Sequence, residues 1–195
     1  MASRVLLNLA AAAALLATTT ASFAIGETEE MTSGGRPFGG LFGSLFGTSP
    51  TSRETVNYAG TYTPGTIIVN TRERRLYLIL NGGQALRYGI GVGRIGFTWS
   101  GVKTVSAKKE WPGWTPPSQM LRRRPDLPRY MPGGIDNPLG ARAIYLGSSL
   151  YRIHGSNEPE TIGQAVSSGC FRMTNEDVTD LYERVRIGAK VIVQQ

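Results

Sequence analysis

The chain has 195 residues, 41% of them hydrophobic and 18% charged, and its formal net charge at pH 7 is +7. A chain of this length can bury one sizeable core, which argues against two full domains. Its basic residues are scattered and lack the interleaved aromatic residues of a single-strand nucleic-acid groove, so a nucleic acid is not an expected partner.

Residues 1–24 have the pattern of a secretory signal. A short basic start, Met1 to Arg4, precedes an uncharged run from Val5 to Ala24 that is rich in Ala and Leu. Small residues stand at Ser22 and Ala24, the two positions that a signal peptidase reads, so we predict cleavage after Ala24. The alternative is an uncleaved membrane anchor, because about 20 apolar residues can span a bilayer. The pattern predicts export to the periplasm or the cell envelope.

Residues 25–59 have a different composition from the rest of the chain. Gly, Ser, Thr and Pro dominate, no helical or strand period is visible, and a Leu-Phe-Gly unit occurs twice, at Leu41–Gly43 and Leu45–Gly47. Such segments do not build a packed core. We predict a disordered tether rich in Gly, Ser and Phe over residues 25–59 and a single folded domain over residues 60–195.

Short β-rich segments separated by turn residues follow from Gly65 onward. Asn81, Gly82 and Gly83 favour a tight hairpin between two of them, since Asn and Gly tolerate positive φ angles. Regular short strands predict a mainly β fold, either a sandwich or a barrel-like sheet. The predicted strands are Thr66–Asn70, Arg75–Leu80, Gln84–Val92, Lys103–Glu110, Ala143–Leu146, Leu150–His154 and Lys190–Val193.

One helix is predicted near the C-terminus. Thr174 can cap its first turn, with Asp177 as the reciprocal acid, and Gly188 ends it. Its apolar stripe consists of Val178, Leu181, Tyr182 and Val185. The Pro-rich stretch from Trp111 to Pro138 is predicted to be a long ordered loop, and loops of this length often form lids or clefts.

Gly91, Gly93 and Gly96 match the G-x-G-x-x-G pattern of a dinucleotide fold. The surrounding sequence does not fit a dinucleotide fold, because Phe97 to Gly101 do not open a helix and no ribose-binding acid follows at the expected distance. We expect no organic cofactor. These glycines are better explained by bends in a curved sheet or by close approach of the backbone to a ligand.

Cys170 and His154 are the only cysteine and the only histidine of the chain. A lone cysteine in an exported protein is a buried small residue, an intermolecular disulfide partner or a reactive thiol. An imidazole 16 positions upstream can take the thiol proton and hold the thiolate as an ion pair. Gly169 permits a sharp turn in which the N–H groups of residues 169 and 170 point at a developing oxyanion. No metal is expected, since a catalytic zinc takes three protein ligands.

The segments around these two residues resemble the signature of L,D-transpeptidase catalytic domains, the YkuD family. The similar segments are His154-Gly155-Ser156-Asn157-Glu158-Pro159, Thr161-Ile162-Gly163-Gln164-Ala165-Val166 and Ser167-Ser168-Gly169-Cys170-Phe171-Arg172-Met173. Trp111–Pro117 and Asn137–Ala143 are also similar to parts of that family. The resemblance extends roughly from Gly65 to Val193.

The resemblance implies roles for individual residues. Cys170 matches the acyl-forming nucleophile, His154 the base that activates it, and Gly155 the residue whose carbonyl orients the imidazole. Three further supporting residues match the family: Ser167 near the Cys–His pair, Gly169 in the oxyanion turn, and Arg172, which can hold the site or a substrate carboxylate. The substrate cleft is expected around Trp111, Trp114, Asn157 and Ser168.

This sequence also departs from the family pattern. Many members carry His or another basic residue where Ser168 stands, so His154 is expected to act alone. Phe171 replaces Ile or Val, a change that is expected only to repack the core.

By resemblance, the chain is a cysteine-dependent acyltransferase of cell-wall biogenesis and cell shape. Cys170 forms a thioester with a peptidoglycan tetrapeptide stem, D-alanine leaves, and an amine of a second stem gives a 3-3 cross-link. Water as acceptor would make it an L,D-carboxypeptidase, and a lipoprotein lysine would make it a lipoprotein-to-wall ligase. Penem-type β-lactams are implied as covalent inhibitors. The alternatives of other classes are a non-catalytic wall-binding module and a thiol redox protein, and the latter lacks a resolving cysteine.

Overall fold

A computed structural model describes residues 51–195; the predicted signal and the predicted tether up to residue 50 lie outside them. The described part contains eleven strands, two α-helices and one 3-10 helix. The strands are β1 (Glu54–Asn57), β2 (Ile67–Asn70), β3 (Arg75–Ile79), β4 (Gln84–Gly89), β5 (Val92–Gly93), β6 (Gly101–Glu110), β7 (Arg142–Leu146), β8 (Arg152–His154), β9 (Ala165–Ser167), β10 (Phe171–Arg172) and β11 (Lys190–Gln194). The helices are α1 (Ser118–Arg123), α2 (Asn175–Arg184) and the 3-10 turn Pro159–Thr161.

Nine strands form one sheet in the order β1-β4-β3-β2-β11-β6-β7-β8-β10, and β5 pairs with β9 in a second, two-stranded sheet. Consecutive strands pair antiparallel from β2 to β4, whereas β11 lies parallel to β2. The mainly β class with a C-terminal helix is confirmed. The two end strands of the large sheet do not pair with each other, so the described chain forms an open sheet and not a closed barrel.

Alternation along β2 divides the apolar side chains between two faces of the sheet. Ile67 and Val69 join the larger core cluster, which α2 covers with Val178 and Leu181. Ile68 belongs to a smaller cluster on the opposite face; its other buried members are Tyr77, Ile79 and Ala85. The centre of the sheet is therefore buried on both sides, which explains the continuous apolar run of this strand.

Strand β1 corrects the predicted domain boundary. It lies inside the predicted tether, yet it pairs antiparallel with β4 from Glu54 opposite Arg87 to Asn57 opposite Gln84. Val56 also packs against the smaller core cluster. The folded domain therefore begins before residue 60. Most of β1 is exposed, so the apolar alternation that marks a strand is nearly absent from its sequence.

The predicted loop from Trp111 to Pro138 contains the unpredicted helix α1. No residue of α1 is buried, and this explains why its sequence carries no apolar stripe. None of the helices in residues 51–195 has the length and apolar character needed to cross a membrane.

The predicted C-terminal helix is present with the predicted cap. Thr174 Oγ1 accepts a hydrogen bond from the Asp177 N–H at 3.1 Å, which satisfies one unpaired donor of the first turn. The next residue, Asn175, accepts a hydrogen bond from the Ala141 N–H through its side-chain oxygen at 2.8 Å. The start of α2 is thereby tied to the loop that precedes β7.

The glycines of the G-x-G-x-x-G stretch allow close contact between backbone segments. A Cβ at Gly93 would lie 2.6 Å from Phe97 O and 3.2 Å from Gly169 Cα. A Cβ at Gly91 would lie 3.0 Å from Thr161 O. The predicted close approach is therefore made to the protein's own chain, along the segment that precedes Cys170.

Replacing Thr174 by Ala should lower the free energy of unfolding by about 1 kcal/mol, because the first turn of α2 loses its side-chain acceptor. Urea denaturation followed by circular dichroism measures the change. Thr174→Ser keeps the hydroxyl and should retain most of the stability. An equal loss in both variants would show that the methyl group matters and the cap does not.

Candidate active site

Parallel pairing of β8 with β10 brings the predicted nucleophile and base to one place. The register sets Phe171 opposite Ile153 and Arg172 opposite His154, so Cys170 lies at the entry of β10 beside the start of β8. The Met173 N–H donates to the His154 carbonyl at 2.8 Å and extends this pairing. His154 and Cys170 line the same cavity, which has a volume of about 410 Å³.

The imidazole of His154 is held in one tautomer. His154 is buried, and its Nδ1 lies 2.6 Å from the Gly155 carbonyl oxygen. A carbonyl oxygen can only accept, so Nδ1 carries the proton and donates, and Nε2 is left as a base. A Cβ at Gly155 would overlap Asn175 Oδ1 and approach Ala141 N at 3.1 Å, so the backbone that orients the ring is closely packed.

Ser167 holds the turn that presents Cys170. Its hydroxyl donates to the Cys170 carbonyl at 2.6 Å and accepts from the Gly169 N–H at 3.1 Å. Gly169 has a φ angle of 103°, which favours glycine. The Gly169 N–H is therefore engaged by Ser167, in contrast to the predicted direction toward an oxyanion. The Cys170 N–H remains as the donor that this turn can offer.

Burial keeps both members of the pair uncharged at neutral pH. Burial raises the pKa of the Cys170 thiol, although the positive charge of Arg152 opposes the rise. Burial also lowers the pKa of His154 to about 3, although the hydrogen bond to the Gly155 carbonyl opposes the shift. The thiol donates to the Leu150 carbonyl at 3.7 Å. These directions favour a neutral thiol and a neutral imidazole in the cavity over the predicted ion pair.

Three arginines, Arg123, Arg152 and Arg172, line the cavity, and its lining contains no carboxylate. Arg172 forms an ion pair with Glu158 at 3.0 Å. Arg123 and Arg152 have no carboxylate partner within residues 51–195. Arg152 donates instead to the Leu150 carbonyl from Nε at 3.3 Å and from Nη2 at 3.0 Å. The cavity is therefore suited to an anionic ligand.

Two of the four predicted cleft residues lie in the cavity. Trp114 and Ser168 line it, whereas Trp111 and Asn157 lie outside its lining. Asn157 donates through Nδ2 to the Asp136 carbonyl at 3.1 Å and thus fixes a loop. The long Pro-rich loop forms one wall of the cavity through Trp114, Pro117, Gln119, Met120, Arg123 and Pro138.

Arg152 was missed as a site residue in the sequence. It shares a face of β8 with His154, since residues two apart in a strand point to the same side. That spacing could have identified Arg152 once His154 was singled out. Phe97, Leu150 and Tyr151 also line the cavity but have no chemical signature that would mark them. No group of three or more metal-ligating side chains of the His, Cys, Asp or Glu type occurs in the described part.

Comparison with known protein families identifies one family for this chain. The YkuD family, described as an L,D-transpeptidase catalytic domain, matches residues 64–193. The probable L,D-transpeptidase ErfK/SrfK of Escherichia coli K12 is 40% identical over 134 residues, which cover 64% of this chain and 42% of that protein. The match thus spans less than half the length of this curated relative.

Solved structures with the same fold include two instructive examples. A probable carnitine operon oxidoreductase from Brucella melitensis is 43% identical, covers 77% of this chain and 98% of its own, and has a TM-score of 0.51. L,D-transpeptidase 3 of Mycobacterium tuberculosis, solved with a faropenem-derived adduct, has a TM-score of 0.55 at 20% identity and covers 67% of this chain and 60% of its own. The second likeness concerns the fold alone.

Iodoacetamide should alkylate Cys170 slowly at neutral pH, because the thiol and the imidazole are both uncharged. The alkylation rate should rise with pH and reach half its maximum above pH 9.0. The ordinary pKa of the thiol is 9.0, and burial raises the pKa of Cys170 above it. Mass spectrometry after timed incubation from about pH 5 to about pH 11 gives the profile.

His154→Gln is the matched control for this profile. The imidazole is a neutral base over the whole range, because its pKa is lowered from 6.5 to about 3. Loss of the imidazole in His154→Gln should therefore leave the rise in alkylation rate above pH 9.0 in place. Rapid alkylation that plateaus below about pH 7 and disappears in His154→Gln would establish the ion pair instead.

Proposed function

Because the chain belongs to the L,D-transpeptidase family YkuD, we propose that it acylates Cys170 with a peptidoglycan tetrapeptide stem and transfers the acyl group to an amine. One observation carries the proposal: the buried imidazole of His154 donates through Nδ1 to Gly155 and keeps a basic Nε2 in the cavity that Cys170 lines. A nucleophile beside an oriented base is the arrangement that acyl transfer requires.

The acylation step uses the neutral pair directly. Sγ attacks the carbonyl carbon of the third stem residue while Nε2 of His154 takes the thiol proton, and the Cys170 N–H stabilises the oxyanion. When the C–N bond to the terminal D-alanine breaks, the imidazolium returns that proton to the leaving amine. The products are a thioester on Cys170, free D-alanine and a neutral His154, so both atoms and charges balance.

The second half-reaction repeats the same proton transfers in reverse order. An acceptor amine attacks the thioester carbon while His154 Nε2 removes its proton, and Sγ leaves and is reprotonated. An amine of a second stem gives the 3-3 cross-link, and we propose this as the main product. Water would give the L,D-carboxypeptidase product, and a lipoprotein lysine would attach that lipoprotein to the wall.

We assign recognition of the donor stem to the positively charged arginines that line the cavity. A tetrapeptide stem ends in a carboxylate one residue beyond the scissile carbonyl, and Arg152 lies beside Cys170 without a carboxylate partner in the described part. Arginine binds carboxylates through two parallel hydrogen bonds. We assign Arg152 to the terminal carboxylate of the donor, and Arg123 on α1 to a second carboxylate of the stem.

Export and inhibition follow from the same function. A wall substrate requires a location outside the cytoplasm, in agreement with the predicted signal over residues 1–24 and the periplasm or cell envelope as destination. The faropenem-derived adduct of the Mycobacterium tuberculosis enzyme supports a penem-type β-lactam as covalent inhibitor of Cys170. In such an inhibitor the strained lactam carbonyl takes the place of the scissile amide.

A non-catalytic wall-binding module is the main alternative from another class. Binding alone gives no reason to bury a base of fixed tautomer in the cavity that a thiol lines, whereas catalysis does. A thiol redox role lacks a second cysteine anywhere in the chain.

Incubation of the purified protein with disaccharide tetrapeptides, followed by mass spectrometry, tests the proposal. We expect D-alanine release and a dimer joined through the third residues. Cys170→Ala and His154→Gln should form neither product, and Cys170→Ala should still bind the donor. Tripeptide without dimer would assign the carboxypeptidase reaction. Binding of wall fragments without any product from the wild type would favour the wall-binding module.

Arg152→Gln should raise the donor KM about tenfold with little change in thermal stability, because one charge-assisted contact to the carboxylate is lost. Arg186→Gln, at an exposed arginine outside the cavity lining, is the matched charge control and should leave KM unchanged. A donor with an amidated C-terminus should bind wild type and Arg152→Gln equally. If Arg152→Gln weakens binding of the ordinary and the amidated donor equally, Arg152 does not bind the terminal carboxylate.

A further inference from the structure

Trp99 lies behind the turn that presents the nucleophile, outside the cavity lining. It belongs to the irregular segment between β5 and β6, and its indole Nε1–H donates to the Gly169 carbonyl at 2.8 Å. This is a contact across 70 positions of the chain. Trp99 also packs on Phe171, which follows Cys170, with ring centroids 5.6 Å apart.

The carbonyl that Trp99 holds belongs to the peptide group that also contains the Cys170 N–H. All peptide bonds in residues 51–195 are trans, so the C=O and the N–H of this group point in opposite directions. A donor bound to the carbonyl oxygen therefore fixes the direction of the N–H. It also polarises the peptide group and makes the N–H a stronger donor.

The rings around Trp99 leave this peptide little freedom to rotate. Trp99 stacks on Tyr151 with centroids 4.5 Å apart and planes 14° apart. A Cβ at Gly169 would lie 2.7 Å from Tyr151 Cε1 and 3.1 Å from Phe97 O, so ring and backbone enclose the turn. Lys103 Nζ lies 5.4 Å from the centroid of the Trp99 ring and 5.9 Å from that of Tyr151, so it adds cation–π contacts to this stack.

We propose that Trp99 is a positioning residue that aims and polarises the Cys170 N–H as the oxyanion donor. Trp99 does not touch the reacting atoms and acts only through the Gly169–Cys170 peptide. Because Ser167 occupies the Gly169 N–H, the Cys170 N–H is the donor through which this turn can act. The inference rests on acyl transfer at Cys170, the chemistry of the proposed function.

Replacement of Trp99 by Phe keeps an aromatic ring on Tyr151 and removes the indole donor. The rate of acylation by faropenem and by the tetrapeptide donor should fall about tenfold, less than the loss from removing an oxyanion donor outright, and donor KM should change little. Alkylation of Cys170 by iodoacetamide forms no oxyanion, so its rate should stay within about twofold of wild type. Tyr58→Phe is the matched control, because it removes a side-chain donor from the aromatic cluster of Tyr58, Tyr62 and Tyr77, which lies outside the cavity lining.

The comparison of the two reactions separates positioning from a general structural role. Equal slowing of acylation and alkylation would show that the turn or the thiol itself has moved, and would overturn the inference. Unchanged acylation would also overturn it. Should Trp99→Phe fold poorly, a benzothienylalanine at position 99 preserves the bicyclic shape without the N–H, and it is expected to show the same selective loss.

The outcomes also distinguish this inference from the proposed function. Trp99→Phe could lose faropenem acylation selectively while the wild type forms no peptidoglycan product. That result would support the positioning role of Trp99 and contradict the proposal that peptidoglycan is the substrate. A wild type that is inert toward both faropenem and the tetrapeptide donor would contradict both.

Discussion

The pairing of β8 with β10 is the constraint on which the site depends. Each strand is only two or three residues long, yet their parallel register sets Arg172 opposite His154 and leaves Cys170 at the strand entry. A parallel pair needs a connection that crosses back, and here residues 155–169 make it. Gly155 and Gly169 stand at the two ends of this connection, and Gly169 has a positive φ angle of 103°. A Cβ at either glycine would meet neighbouring atoms, so both ends of the connection are closely packed.

A second constraint is the exclusion of water from the imidazole. Burial lowers the pKa of His154 and raises that of Cys170. In the resting site the sulfur of Cys170 is therefore protonated, and Nε2 of His154 carries a free electron pair. Arg152 and Arg172 further disfavour an imidazolium and favour a thiolate. The same two arginines can stabilise negative charge as it develops during attack. Under the proposed function, this electrostatic arrangement would assist the transition state more than the resting thiol.

The sequence predicted the parts of this protein that depend on local chemistry. The cap of α2 at Thr174 follows from residue types at a fixed spacing, and the hairpin after β3 from Asn81 and two glycines. Cys170 and His154 stood out as the only residues of their kinds, and they line one cavity. It did not predict β1 and α1, because neither buries an apolar stripe that would give a period. Nor could it reveal that Ser167 engages the Gly169 N–H, since this depends on a turn geometry that three-dimensional packing sets. Trp99 gains its position through a contact between distant segments, whereas Arg152 could have been found from its spacing to His154.

The absence of buried residues from α1 has a consequence for how the cavity can be altered. One wall of the cavity comes from a segment that contributes nothing to the core, so changes in its sequence alter the surface presented to incoming molecules at little expense in folding free energy. The reactive pair, by contrast, is embedded in backbone that a single added methyl group at Gly155 would disturb. Under the proposed function, substitutions on α1 can therefore alter which stems the cavity accepts with little effect on folding, whereas the backbone between β8 and β10 has no room for a side chain at Gly155.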